Sequence, residues 1–174
     1  NDEKTGNSLS NEMISRMKEA IEEIAQDRYT KIVIIAAKGN IFCAGHNLKE
    51  MTEARNNNDK GRNYFEKLFN SCSELMQSIV NCPIPVIAEI DGIATAAGCQ
   101  LVASCDLALA SESSSFATPG VNLGLFCSTP MVALSRNVKK KDAMKMLLTG
   151  EMIDTKEAKR ISLINDYFSS ETLS

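Results

Sequence analysis

The sequence has no tryptophan, a single histidine (His46), and aromatic residues at only 5% of its 174 positions. One imidazole rules out metal sites built from several histidines and any triad that needs a second ring. None of the six cysteines forms a C-x-x-C pair. Cys43, Cys72, Cys82, Cys99, Cys105 and Cys127 sit mostly in apolar runs, which favours buried reduced thiols over a disulfide framework or zinc. Positive charge is also scarce. Lys plus Arg number 19 against 22 Asp plus Glu, a net charge of −3 and a poor footprint for nucleic acid. No apolar run reaches the length needed to span a bilayer, so membrane insertion is not expected. Several nucleotide and nucleophile motifs are missing as well. There is no G-x-G-x-x-G and no G-x-S-x-G. Gly39 and Gly45 are one residue too far apart for a P-loop, with His46 and Asn47 where Lys and Ser/Thr belong.

Hydrophobic residues make up 44% and charged residues 24%, enough for one folded domain with its own core. Met13, Ile14, Met17, Ala20, Ile21, Ile24 and Ala25 recur at helical spacing between Ser10, a capping residue, and Asp27. Lys31 to Lys38 is a continuous β-branched run and predicts a strand buried on both faces. Phe65, Leu68, Phe69, Cys72, Leu75, Met76, Ile79 and Val80 form the stripe of a long helix stopped by Pro83 and Pro85. Pro85 to Ile90 predicts a second buried strand, Ala94 to Ala103 a small-residue helix, and Leu107 to Ala110 a short strand. Lys140 to Leu148 predicts a helix ended by Gly150, and Asp154 caps another running to Arg160. Alternating strands and helices imply an α/β fold with a mostly parallel sheet. The polar patch Asn56 to Lys60 is expected to be a mobile connection. Lys139 to Lys141 reads as a solvated face, and the serines at 113 to 115 as a loop. The chain starts at Asn1 and stops at Ser174 without a terminal signature, so both ends are expected to be cut from something longer.

Two segments concentrate small residues just after predicted strands. Ile41 to Leu48 carries Gly45, whose freedom at positive φ can turn the next N–H outward. Asp91 to Gln100 opens the small-residue helix, and free N–H groups at a helix start attract negative charge. Two such amides converging on one point make an oxyanion hole, worth about 3–4 kcal/mol per donor. Either segment alone is also explained by close helix–strand packing.

These residues carry a resemblance. Phe42 to Met51, Pro85 to Gly92, Ala97 to Leu101, Cys105-Asp106, and Leu148 to Gly150 followed by Glu157-Ala158 resemble, in order and spacing, the crotonase (enoyl-CoA hydratase/isomerase) superfamily. The resemblance runs from about Asn1 to Phe168. It implies a crotonase-like (ClpP/crotonase) spiral of ββα units, with residues 1–168 as the core. Residues 169–174 would then begin a C-terminal helical region used in trimer assembly. It implies acyl-coenzyme A as ligand, no metal or resident cofactor, a homotrimer in full-length form, and a mitochondrial location. The oxyanion-hole donors would be the backbone N–H groups of His46 and Ala97. Ala44, Gly45, Leu48, Lys49 and Gly98 would contact coenzyme A.

The sequence departs from a hydratase at two points. The family's two proton-handling glutamates would fall at Gln100 and Gly120. A carboxamide does not exchange protons near neutral pH, and glycine has no side chain to do so. General acid–base catalysis contributes about 10²- to 10⁴-fold, so efficient hydration is not expected. Asn47 stands where many relatives carry Asp. The His46 imidazole, Glu89 and Asp91 are the remaining candidates for proton transfer. Three readings stay open: acyl-CoA binding without efficient turnover, an acyl-CoA lyase, isomerase or hydratase-like enzyme relying on enolate stabilisation, and an interaction module.

Overall fold

The computed structural model describes residues 1–173. Ser10 caps helix α1 (Asn11–Ile24) by accepting the Met13 N–H at 3.1 Å, and Ile14 and Ile21 carry its buried face. Strand β1 (Val33–Ala36) follows, then β2 (Ile41–Cys43) and α2 (Leu48–Ala54), capped by the Asn47 side chain. Helix α3 (Arg62–Val80) buries Leu68, Cys72, Leu75, Met76 and Ile79 and packs against α1. Strand β3 (Val86–Ile90), β4 (Ile93–Thr95), α4 (Ala97–Ser104), β5 (Leu107–Ser111) and β6 (Ser115–Ala117) complete two turns of the spiral. After them come α5 (Ser128–Asn137), α6 (Lys140–Thr149), β7 (Ile153–Asp154), α7 (Thr155–Arg160) and β8 (Asp166–Phe168).

Each ββ unit sends one strand to each of two sheets. Among the described residues these sheets run β1-β3-β5-β8, all parallel, and β2-β4-β6-β7, parallel except for the last pair. Parallel register means that β2 and β4 end on the same side, which brings the segments after Cys43 and Thr95 together. Gly150 ends α6 at φ +64, and Asp154 accepts the Glu157 N–H at 2.8 Å to start α7, as their positions in the sequence predict.

Some expectations change. The strand expected to be buried on both faces is an edge strand that pairs with β3 alone, and Ile34 on it is 58% exposed. Ala94 belongs to β4, so the small-residue helix starts three residues later than its composition suggests. The segment Ile41 to Leu48 contains β2 and the first residue of α2, with only residues 44–47 between them. Asn56 to Lys60 is a hydrogen-bonded turn, continued by Asp59 accepting the N–H groups of Gly61 and Asn63. Ser174 lies outside the described residues.

Candidate functional site

The site begins with how the chain leaves β2. Gly45 takes φ +91, and its carbonyl accepts the Leu9 N–H at 2.7 Å while Asn47 N–H reaches the Leu9 carbonyl at 3.4 Å. These two bonds bracket His46 in a parallel bridge to Leu9. In such a bridge the middle residue points its own N–H to the opposite side. The His46 N–H therefore faces away from Leu9, and it has no acceptor among the described residues.

What lies close on that segment is the start of α4. A Cβ built on Gly45 would stand 3.0 Å from the Ala96 Cβ, 3.1 Å from the Thr95 oxygen and 3.3 Å from the Ala97 nitrogen. Thr95 Oγ1 also donates to the Ala44 carbonyl at 3.1 Å, tying the two segments together. Ala96 sits at φ 51 and ψ −118, a conformation that L side chains avoid. That twist turns the chain from β4 into α4 within one residue. Gln100 N–H is the first amide of α4 to find a carbonyl, that of Ala96 at 3.1 Å. The N–H groups of Ala97, Gly98 and Cys99 have no acceptor among the described residues, and no side chain caps the helix. Unpartnered amides thus occur on both sides of the Gly45–Ala97 contact.

Gln100 follows one turn later on α4. It is only 7% exposed, and its Oε1 is buried with no hydrogen-bond partner among the described residues. It lines a cleft of 710 Å³ between α3, α4 and α5, together with Phe69, Met76, Ser104, Val132 and Asn137. Gly120 lies just after β6. A Cβ there would meet the Cys127 Sγ at 2.7 Å, and the Gly120 N–H donates to that sulfur at 3.3 Å. The thiol therefore fills the space that a side chain at 120 would need. Thr118, fully buried two residues earlier, has an Oγ1 with no partner among the described residues.

The His46 side chain turns away from this work. Its ring meets Phe69 edge-on with centroids 5.4 Å apart, its Nε2 is buried without a partner among the described residues, and burial pushes its pKa down. A neutral ring wedged against an aromatic neighbour is poorly placed to relay protons. Burial also pushes the thiols of Cys43, Cys72, Cys99 and Cys105 up, to about 11 for Cys43 and about 12 for the others. They remain protonated and are not ready nucleophiles. Among the described residues no group of three or more His, Cys, Asp or Glu is arranged to hold a metal.

The expected coenzyme A contacts separate into two kinds. Ala44, Leu48 and Lys49 are exposed beside the Gly45 turn. Gly98 is buried, and a Cβ on it would meet the Cys43 oxygen at 2.2 Å, so its missing side chain is accounted for by packing of β2 on α4. Of the proton-transfer candidates, Asp91 accepts a 3.4 Å bond from Ser170, and Glu89 lies within β3. The sequence does not disclose the strained Ala96 or the filling role of Cys127. Composition predicts glycine where φ is positive, so an alanine there leaves no signal. The Cys127 contact depends on how the chain after β6 folds back.

Residues 1–174 match the family described as enoyl-CoA hydratase/isomerase. The chain belongs to the enoyl-CoA hydratase/isomerase family. It is 51% identical over 167 residues to enoyl-CoA hydratase domain-containing protein 3, mitochondrial, of Mus musculus, an alignment covering 96% of this chain and 54% of that one. The Homo sapiens protein of the same name is 52% identical over 155 residues, covering 89% of this chain and 50% of its own. The crystal structure of an enoyl-CoA hydratase from Mycobacterium smegmatis superposes with a TM-score of 0.91 at 49% identity, covering 98% of this chain and 64% of that chain. The structure of human enoyl coenzyme A hydratase domain-containing protein 3 gives 0.90 at 48% identity, covering 98% and 65%. The chain spans about half the length of these sequence relatives. The two-sheet architecture is thus the crotonase-like fold of the enoyl-CoA hydratase/isomerase family, and this member carries Gln100 and Gly120 in its site region.

Proposed function

We propose that this chain carries the acyl-CoA-binding core of a mitochondrial protein that holds a thioester carbonyl but is not an efficient enoyl-CoA hydratase. The N–H groups of His46 and Ala97 are the two donors to the thioester oxygen. The observation that carries this reading is the seating of Gly45 against Ala97, 3.3 Å from a Cβ at 45 to the Ala97 nitrogen, with neither amide at that contact bonded internally. Amides already held in place spend no reorganisation on a developing oxyanion. The acyl chain runs from there past Gln100 into the 710 Å³ cleft. The exposed Ala44, Leu48 and Lys49 lie along the coenzyme A moiety, with Gly45 and Gly98 shaping the backbone behind them. No metal or resident cofactor takes part in this reading.

The missing acids set the chemistry. Gln100 orients a water or an acyl substituent by hydrogen bonds but exchanges no proton at neutral pH, and at Gly120 the place of a side chain is taken by the Cys127 thiol. Polarisation of the carbonyl survives while proton delivery to carbon does not. The mitochondrial location follows the names of the Mus musculus and Homo sapiens relatives. A homotrimer of the full-length protein follows the family resemblance.

The test uses the full-length protein. Crotonyl-CoA and butyryl-CoA raise its thermal midpoint, by an amount that grows with the logarithm of ligand concentration above the dissociation constant, while hydration of crotonyl-CoA stays near background. Absence of any stabilisation by either thioester removes the acyl-CoA reading and leaves an interaction module. Rapid hydration overturns the claim about the missing acids.

A further inference from the structure

We infer that Glu50 is a positioning residue for the His46 amide, held by a three-helix latch with Asn11 and Tyr64. The inference rests on the acyl-CoA reading and deepens it. Glu50 lies in the first turn of α2, three residues after Asn47 and four after His46. Its Oε2 accepts three hydrogen bonds: from the Asn11 backbone N–H at 3.2 Å, from Asn11 Nδ2 at 2.9 Å and from the Tyr64 hydroxyl at 3.0 Å. Asn11 Nδ2 also reaches the Tyr64 oxygen at 3.2 Å, which closes a triangle. Asn11 opens α1 and Tyr64 belongs to the first turn of α3, so one carboxylate oxygen joins three helices.

The triangle lies beside the segment that aims the site. Leu9, two residues before Asn11, makes the two bonds that bracket His46. Helix α3 grips the same segment a second time, where Phe69 meets the His46 ring at 5.4 Å. Tyr64, Phe65 and Phe69 touch in sequence, with centroids 5.6 Å and 6.4 Å apart, so both grips belong to one aromatic ladder. His46 is therefore held through the backbone of Gly45 and Asn47 on either side of it to Leu9, by its ring to α3, and through α2 by Glu50. Helix α2 needs this latch because it is short and buries only Ala54. Without Glu50 the α2 start and the N–H next to it lose their third point of attachment, and a donor that swings by a fraction of an ångström no longer meets the thioester oxygen. Burial and the Glu50 carboxylate push the Tyr64 phenol up to about 12, so it stays a hydrogen-bond donor throughout the neutral range.

The experiment reads the carbonyl itself. Full-length protein is saturated with butyryl-CoA carrying ¹³C at the thioester carbon, and the displacement of that resonance from its free position is measured. In parallel, calorimetry gives the dissociation constants of butyryl-CoA and of coenzyme A without an acyl group. In the unmodified protein the carbonyl moves downfield. In Glu50→Ala the displacement falls by half or more and butyryl-CoA binding weakens about tenfold, while coenzyme A, which has no carbonyl to hold, binds unchanged. Glu50→Gln keeps an acceptor for all three donors and restores most of the displacement. Tyr64→Phe removes one hydroxyl only and gives an intermediate loss, which keeps the test decisive if Glu50→Ala does not fold. A full displacement in Glu50→Ala or in Tyr64→Phe overturns the positioning role and leaves the acyl-CoA reading standing. No displacement in the unmodified protein overturns that reading instead.

Discussion

Gly98 lies so close to Cys43 that a Cβ on it would stand 2.2 Å from the Cys43 carbonyl oxygen and 2.8 Å from the Cys43 Cβ. The Cys43 carbonyl and Cβ are fixed by strand β2, and neither is the far end of a flexible side chain that could yield. Gly98→Ala therefore destabilises by about 3 kcal/mol, even though alanine is worth about 1 kcal/mol more than glycine inside a helix. Gly124→Ala is the matched control. It sits at φ +73 with nothing within 4 Å of a built Cβ, so it costs about 1 kcal/mol from the left-handed backbone alone. Urea denaturation of the two variants measures the difference.

Gly45→Ala tests the contact between the two amide segments. The new methyl meets the Ala96 Cβ at 3.0 Å and the Ala97 nitrogen at 3.3 Å, at a backbone φ of +91. Strain and crowding together lower stability by about 2 kcal/mol. The methyl also wedges His46 away from Ala97, so butyryl-CoA affinity falls by about tenfold or more while coenzyme A affinity changes less. Calorimetry with both ligands checks this. Equal losses for the two ligands would mean that the contact is structural only.

Restoring the two carboxylates should restore hydration, but only with room for the second. Gly120→Glu alone meets the Cys127 sulfur at 2.7 Å and loses about 1–3 kcal/mol. Gln100→Glu with Gly120→Glu and Cys127→Ala removes the sulfur, the nearest obstacle, and hydration of crotonyl-CoA rises by at least about 10²-fold over the unmodified protein. A stopped assay on single, double and triple variants separates the effect of the acids from that of the space.

Stability should fall on mild acidification because of His46. Burial lowers its folded pKa below the ordinary 6.5. The unfolded chain therefore binds more protons as pH falls past 6.5, which favours unfolding, and the loss levels off below the folded value. The exposed carboxylates of Asp27, Asp59, Glu157 and Asp166 are lowered too, through hydrogen bonds and nearby charges, but they act only near and below the ordinary carboxylate range. Comparing about pH 7.5 with about pH 5.5 thus isolates the imidazole. His46→Phe keeps a ring against Phe69, and in it the difference between the two pH values shrinks. An unchanged difference would mean that another group titrates there.

The long helices were legible because each buries one stripe at constant spacing. Ile14 and Ile21 on α1, and Leu68, Cys72, Leu75, Met76 and Ile79 on α3, fall where the 3.6 period puts them. Strands β2, β4 and β6 have three residues each, too few for a two-residue alternation to stand out. Helix α2 shows no stripe because only Ala54 is buried. Helix α5 hides behind Pro130, which reads as a breaker but stands in the first turn, where its missing N–H has no intrahelical partner to lose. Ile34 misled for a different reason. A β-branched residue states a preference for strand, not for which side of the strand will be covered.

The order of residues by itself determined the helical stripes, the caps at Ser10 and Asp154, the stop at Gly150, and the absence of carboxylates at 100 and 120, because these depend on side-chain chemistry and short-range spacing. Only the tertiary structure decided that Gly45 lies on Ala97, that the His46 ring faces Phe69, that Cys127 fills the space beside Gly120, and that Glu50 joins three helices. Those relations come from parallel pairing of strands far apart in the chain, and the packing that brings their ends together has no periodic trace along it.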